Sequence, residues 1–360
     1  MRMKTLGRKL FLALVFLLIT LVIAVGVDFA LTDDVHAYSR VMLDEFYSEA
    51  GTIDTVFVGS SHCYRSFDPA LADELLEENT FNLGTSQQLP DGSYHLIREA
   101  GQAGGIKTVY LECFYPGYIQ QSSKNVPLAC YLITDYLRPS LNKYSYLWEM
   151  GGPAALVDDF LPARHSIASP GELISLWKAK LTDGYTPGNY AYVTYPNDEE
   201  YRGKGFVYTY GTPPYGFGGI ADVDAAQPIS DFAQEYLQKI IAYCKTQNIR
   251  LVLVVAPLPS AFAANTKNYQ AYIDAMQALA DKNKLSYWDF TLYRDGATLD
   301  LTSDDFSDAH HLNGMGAEKF TRVFCEVAAK AEAGEDVSRA FYETLEEKLT
   351  ASPDATYSER

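Results

Sequence analysis

The chain of 360 residues reads as an α/β protein, a three-layer α/β/α sandwich on a parallel sheet, preceded by one N-terminal transmembrane helix. Three observations carry this reading. Short aliphatic runs alternate with amphipathic stretches of helical period, which implies a parallel sheet covered on both faces. One of those runs, Leu251 to Ala256, is continuously aliphatic, as a strand buried on two sides is. Finally, Leu10 to Val27 carries no charge and is interrupted only by Thr20 and Gly26.

That first run sets the location of everything after it. At about 1.5 Å per residue it can just cross a hydrocarbon core about 30 Å thick. Arg2, Lys4, Arg8 and Lys9 precede it, and Asp28, Asp33 and Asp34 follow it. Basic residues before a span hold that end in the cytoplasm, so the expectation is a single-pass cell-membrane protein with its main domain outside. A cleaved signal peptide shares the basic start, but its apolar centre is normally about 7–15 residues and ends at a small-x-small site. Ala24-Val25-Gly26-Val27-Asp28 matches such a site poorly. The expected organisation is a cytoplasmic stub and anchor over 1–34, an ectodomain over 35–332, and a charged tail over 333–360 whose Ser-Pro-Asp end is disordered.

Within the ectodomain, Ile53 to Val58 is a strand ending at Gly59. Phe67 to Glu78 follows as a helix, Thr80 to Leu83 as a second strand, and Asp91 to Ala103 as a helix stopped by Gly104-Gly105. Thr108 to Cys113 is a third strand. The alternation resumes with a helix over Ser230 to Thr246, whose Phe232, Ala233, Tyr236, Leu237, Ile240 and Ile241 recur at helical spacing. Leu251 to Ala256 is a strand, Tyr269 to Lys282 a helix, Leu285 to Phe290 a strand and Ala317 to Ala331 the last helix.

Between the halves, about residues 118 to 228 form an insertion expected to cap the sheet edge. It holds a helix over Leu173 to Leu181, introduced by Ser169-Pro170-Gly171-Glu172, whose Ser and Glu have capping-box spacing. Eight tyrosines then fall between Tyr185 and Tyr215 among Gly and Pro, too many breakers for long regular elements. Rings with polar tips suit sugar faces, and they equally serve packing and the tethering of loops.

Composition narrows the partners. With 48% hydrophobic and 13% aromatic residues the chain can fill a globular interior, so it is no disordered stalk. A net charge of -17 excludes nucleic acid, whose phosphates call for a positive surface, and argues against broad adhesion to anionic lipid. The five cysteines, at 63, 113, 130, 244 and 325, contain no close-spaced pair. Neither a zinc site nor a disulfide framework is expected.

Two segments carry chemistry. Gly59-Ser60-Ser61-His62 directly follows the first strand, at the sheet end where open α/β sheets bind ligands. A serine there lies near backbone N–H groups that favour developing negative charge; alternatively the segment only turns the chain and caps a helix. Asp308-Ala309-His310-His311-Leu312-Asn313 precedes the last helix. One turn brings Asp308 and His311 to one side, so the carboxylate can accept from imidazole Nδ1–H and leave Nε2 as a base. Asn313 alone suffices as the helix cap. A third reading, a metal-dependent phosphodiesterase built on Asp308, His310 and His311, lacks a second carboxylate–histidine cluster to complete a hard-metal site.

Together the segments resemble the SGNH (GDSL-type) hydrolase superfamily, in particular its membrane-anchored DltD-like and alginate O-acetylation-like branches. The likeness rests on the anchor, Gly59-Ser60-Ser61 and Asp308-Ala309-His310-His311-Leu312-Asn313, and it covers about residues 53–115 and 229–330. It implies a flavodoxin-like sheet and a Ser-Asp-His hydrolase without a cofactor. Ser61 would be the nucleophile, His311 the general base and Asp308 its orienting partner. The N–H groups of Ser61 and of Gly84, in Asn82-Leu83-Gly84-Thr85-Ser86, would bind the oxyanion. The chain departs from the family at two places. Ser60 stands where members usually have Asp, and Glu112-Cys113-Phe114 offers no asparagine for the third block. The resemblance further implies an acylated cell-surface glycan or teichoic-acid-like polymer as substrate, a membrane-bound O-acyltransferase as partner, and either hydrolysis or acyl transfer. The alternative is an inactive scaffold or glycan-binding protein of envelope assembly that keeps the fold.

Overall fold

The computed structural model describes residues 2–35, 37–182, 185, 198–211, 220–294 and 296–351. In chain order its strands are β1 (Thr55–Val58), β2 (Thr80–Asn82), β3 (Thr108–Glu112), β4 (Glu199–Tyr201), β5 (Val207–Thr209), β6 (Arg250–Val255) and β7 (Ser286–Asp289). Five of them form one parallel sheet in the order β2-β1-β3-β6-β7, while β4 and β5 make a separate antiparallel hairpin. Counted among themselves, the parallel strands run 2-1-3-4-5, the flavodoxin-like order that the sequence predicts.

Alternate residues of each strand feed two cores, because side chains of a strand point to opposite faces. Val56, Val58, Val109, Leu111, Leu251 and Leu253 face helices Tyr38–Glu49, Pro90–Ala103, Asp231–Gln247 and Tyr269–Asn283. Phe57, Tyr110, Val252 and Val254 face helices Pro69–Leu76 and Gly314–Glu332. The second core is aromatic: Phe57 stacks on Phe67 at 4.6 Å between ring centres and meets Phe324 edge-on at 5.7 Å.

Local chemistry starts and stops these helices. Asp68 accepts from the N–H groups of Ala70 and Leu71 ahead of Pro69. Ser230 accepts from Ala233 N–H, and Asn248 closes that helix in the left-handed conformation.

Three features depart from the sequence reading. Helix Tyr38–Glu49 was not anticipated; its Val41, Met42, Leu43 and Phe46 are buried, but interleaved polar residues blur the period. The insertion contains more helix than expected, over Tyr115–Ile119, Pro127–Thr134, Leu141–Gly151, Pro153–Phe160 and Leu173–Lys180. Pro116, Pro127 and Pro153 lie in first turns, where proline starts a helix instead of breaking it. The tail folds back through Phe341, which bridges to Tyr293, and Leu345 is buried; Ser352 to Arg360 lie outside the described residues.

At the N-terminus a helix covers Arg2–Leu31, and the most apolar 18-residue window of its stretch Leu6–Leu31 has mean hydropathy 3.2, with none of that window buried. Its length and composition fit a membrane span and equally a secretory signal.

Replacing Phe57 by alanine removes the ring that joins β1 to helix Gly314–Glu332. The expected loss is about 3–5 kcal/mol of stability, read from denaturant unfolding of the detergent-solubilised chain. A loss below about 1 kcal/mol would mean that this layer does not hold the sheet.

Candidate active site

The strand order places a switch point between β1 and β3, since the chain leaves them toward opposite sheet edges. Gly59 and Ser60 turn the chain there. A Cβ on Gly59 would lie 2.6 Å from Glu112 Cβ at the end of β3, so only glycine lets the two strand ends come this close. Ser60 caps the short helix Ser61–Tyr64 by accepting from His62 N–H at 3.3 Å. Its own N–H and hydroxyl donate to Glu112 Oε2 at 3.2 and 3.0 Å.

The second segment is held as a closed loop. Phe306 bridges to Leu312, Ser307 N–H donates to His311 O, and Asn313 caps helix Gly314–Glu332 by accepting from Met315 and Gly316 N–H at 3.0 Å each. This loop and the Gly59 turn meet at the carboxyl end of the sheet. Ser61 Oγ lies 2.7 Å from His311 Nε2, and His311 Nδ1 lies 2.7 Å from Asp308 Oδ2. Asp308 Oδ1 accepts from the backbone N–H groups of His310 and His311 at 3.0 and 2.9 Å. Arg65 stands behind the carboxylate, 3.7 Å from Asp308 Oδ2, and forms an ion pair with Glu199 on β4.

These contacts set the charge states. Burial lowers the pKa of His311 below the usual imidazole value, partly offset by Asp308. Burial alone would raise Asp308, but the hydrogen bond and charge of His311 and the two backbone donors outweigh it and hold the carboxyl below its ordinary range. At neutral pH the pair is therefore a neutral imidazole with a lone pair toward Ser61, backed by a carboxylate. That is the charge pattern a general base needs.

Gly84 does not present a free donor. Its N–H is buried and donates to Asn82 Oδ1 at 2.9 Å, so the oxyanion role expected of it is already occupied by the Asn82 side chain. Ser61 N–H, by contrast, makes no hydrogen bond among the described residues. Cys63 is buried with its thiol donating to Asn82 Oδ1, and burial pushes that thiol far up, so it serves packing.

Sequence reasoning missed three contributors. His62, for which the sequence suggests only a loop or packing role, is fully buried between Phe114, at 3.6 Å between ring centres, and His311, at 4.5 Å. His310 is half-buried and pairs with it, His62 Nε2 to His310 Nδ1 at 3.0 Å. Ring nitrogens of His62, His310 and His311 lie within 4.8 Å of one another, a spacing that could hold a metal ion. In this arrangement they are committed to each other and to Ser61, and an ion would have to break those bonds. The third contributor is Gln87, whose backbone is left-handed at φ 53° and which lines the pocket beside Ser61. The adjacency of Gln87 to the Gly84 block was the available signal.

The pocket has a volume of about 280 Å³. Ser61 and His311 stand on its wall with Leu89, Phe114, Val126 and Ile220, and none of its described lining residues is Asp, Glu, Lys or Arg. The four described tyrosines of the Tyr185 to Tyr215 run are spent on tethering: Tyr185 donates to Asp34, Tyr201 to Glu45, Tyr210 to Glu200, and the Tyr208 ring lies against Gly314. Tyr190, Tyr192, Tyr195 and Tyr215 lie outside the described residues.

Comparisons with known proteins are sparse. A protein-family model without a descriptive name matches residues 221–331, less than half of the chain. No curated protein matches the sequence. Among solved structures, the chain is similar to a candidate acylhydrolase from Bacteroides fragilis, at 11% identity and TM-score 0.35, over 79% of this chain and 93% of that one. It is also similar to an acetyl xylan esterase from Butyrivibrio proteoclasticus, at 10% identity and TM-score 0.26, over 79% of this chain and 64% of that one.

Glu112 makes a test of the site's packing. Burial raises its carboxyl to about 7, against the hydrogen bonds from Ser60, and its Oε1 is buried with no partner. The folded chain thus binds that proton more tightly than the unfolded one. The resulting stability is present at low pH, starts to fade above the ordinary value of 4.5 and is lost as pH rises through about 7. Glu112→Gln keeps the acceptor for Ser60 and removes the titration. Its stability relative to the parent should therefore rise by roughly 2 kcal/mol between pH 5 and pH 8.5 in denaturant melts. Parallel curves for the two proteins would refute the buried carboxyl.

Proposed function

We propose that this chain is a membrane-anchored, extracytoplasmic serine esterase or O-acyltransferase of the SGNH type, nearest in kind to the DltD-like and alginate O-acetylation-like branches. The single observation that carries the reading is the continuous Ser61–His311–Asp308 hydrogen-bond chain, with 2.7 Å at both links. In the proposed reaction Ser61 Oγ attacks the acyl carbonyl as its proton passes to His311 Nε2. The imidazolium, stabilised by Asp308, then protonates the leaving alkoxide as the ester C–O bond breaks. A water or a glycan hydroxyl, deprotonated in turn by His311, attacks the acyl-enzyme and frees Ser61. The same three residues serve hydrolysis and transfer.

The uncharged, largely apolar pocket suits a small neutral acyl group, since an ammonium-bearing one would find no carboxylate on its described walls. The acceptor proposed is a cell-surface polysaccharide or teichoic-acid-like polymer, with a membrane-bound O-acyltransferase delivering the acyl group. The rival reading, an inactive scaffold or glycan-binding protein, draws on Glu112 in the third block and on the engaged Gly84 N–H. Ser61→Ala should abolish labelling by a fluorophosphonate probe, and His311→Ala should reduce p-nitrophenyl acetate turnover by at least about 10³-fold. Turnover by the parent chain no faster than by His311→Ala would favour the scaffold.

With Gly84 engaged, the proposed oxyanion donors are Ser61 N–H and the carboxamide of Gln87, which makes no hydrogen bond elsewhere among the described residues. Losing one such donor costs about 10²–10³ in turnover. Gln87→Ala should accordingly lower kcat by about that factor with KM little changed. A change confined to KM would assign Gln87 to substrate binding instead.

A further inference from the structure

The insertion carries a row of exposed apolar side chains beside the point where the N-terminal helix ends. Ile174, Trp177 and Leu181 are 64%, 44% and 82% exposed and fall three and four residues apart on one face of helix Leu173–Lys180 and its cap. Phe160 and Ile167, at 61% and 64%, lie on the neighbouring segment. Monomeric surfaces scatter such residues singly, whereas a rimmed cluster marks a surface that something covers.

The position of the cluster says what covers it. The last turns of the N-terminal helix are stitched to these same segments. Trp177 Nε1 donates to Ala30 O at 2.7 Å, Ala168 N–H donates to Leu31 O at 2.8 Å, and Thr32 bridges to Ile167. Asp28 accepts from Ala163 N–H at 2.8 Å. Beneath the cluster Lys180 donates to Phe29 O and Thr32 O, each at 2.6 Å, and pairs with Asp34 at 2.9 Å. A buried cation thereby closes the helix's orphan carbonyls and fixes the angle at which the helix leaves the domain. A bilayer core about 30 Å thick takes up about 20 helical residues. Counted from Leu10, the first residue after Arg8 and Lys9, that length ends near Phe29. Ala30 and Leu31 then lie at the far boundary between acyl chains and headgroups, and Trp177, bonded to Ala30, lies level with them.

We infer that Phe160, Ile167, Ile174, Trp177 and Leu181 form a second membrane contact, dipping into the outer lipid leaflet beside the anchor. Tryptophan suits that depth because its ring is apolar and its N–H is satisfied, here by the helix carbonyl itself. The contact holds the ectodomain at a fixed height and tilt, where the anchor alone would let it swivel. The inference rests on the retained anchor and is independent of the Ser61 chemistry.

The test uses the full chain in phosphatidylcholine vesicles, with and without lipids brominated near the headgroup end of their acyl chains. The chain has three tryptophans, of which Trp288 is buried and Trp148 lies exposed on another helix. Brominated lipid should quench the emission of Trp148→Phe, and at least half of the quenchable emission should vanish in Trp177→Phe. Quenching in Trp177→Phe that stays above half that of the parent, or no quenching at all in a chain that resists carbonate extraction, would overturn the inference and give the patch to a protein partner. Release by carbonate would overturn the anchor reading, and this contact with it. Turnover of a soluble ester in the same vesicles reports separately on Ser61.

Discussion

The contact between Phe57 on the first strand and Phe324 on helix Gly314–Glu332 is what closes the site. These rings, with Phe67 and Phe320, fill the space between β1 and helix Gly314–Glu332. Because that helix is capped by Asn313, its placement fixes the loop before it, and with it Asp308 and His311. Ser61 sits at the other end of the same layer, three residues past the end of β1. A sub-ångström hydrogen-bond geometry between chain ends thus depends on close-packed aromatic volume several residues away. Dispersion and hydrophobic burial supply the energy, and the polar groups supply only the aim.

What was legible in the sequence follows from the same division. All five strands of the sheet were readable within a residue or two, because short runs rich in β-branched, aliphatic and aromatic residues alternate with helical periods. The Asp308 to His311 spacing was readable because it is local. Contacts made across the fold were not. Glu112 is an ordinary glutamate in sequence, and only the pairing of β1 with β3 puts its carboxyl beneath Ser60. The Asn82 amide donates to Cys63 O and Phe67 O across the fold, and those two bonds aim its oxygen at the Gly84 N–H two residues on. Helix Tyr38–Glu49 escaped because tertiary burial, not periodicity, selects it.

The electrostatics of the site are a balance of burial against one well-placed charge. His62, His310 and His311 stack within van der Waals reach, so protonating any one penalises the others. Burial holds His62 well below the imidazole range and brings His310 to about 4. Only His311 has a carboxylate on its Nδ1 at hydrogen-bond distance, and it alone faces Ser61. The neighbours therefore keep the cluster neutral while Asp308 makes one member the most basic. Arg65 completes the arrangement by joining Asp308 to Glu199, so the hairpin of the insertion is electrostatically coupled to the base it lies beside.

That coupling bears on the choice between water and a sugar hydroxyl as acceptor. One triad serves both, so the outcome depends on which nucleophile reaches the acyl-enzyme, and hence on what covers the pocket. The described walls of the pocket come from the Ser61 turn, the loop of His310 and His311, the segment Gln87 to Leu89, the segment after β3, and Gln120, Val126 and Ile220 of the insertion. Apolar Leu89, Phe114, Val126 and Ile220 share those walls with the polar side chains of Ser61, Gln87 and His311. The insertion that forms part of this wall is also the part bonded to the N-terminal helix through Trp177 and Lys180. On the proposed membrane contact, that cap would stand at the bilayer, where a tethered polymer would meet the acyl-enzyme at a higher local concentration than a diffusing sugar. Transfer would then require such an acceptor to enter the pocket ahead of water, since the same three residues serve both outcomes.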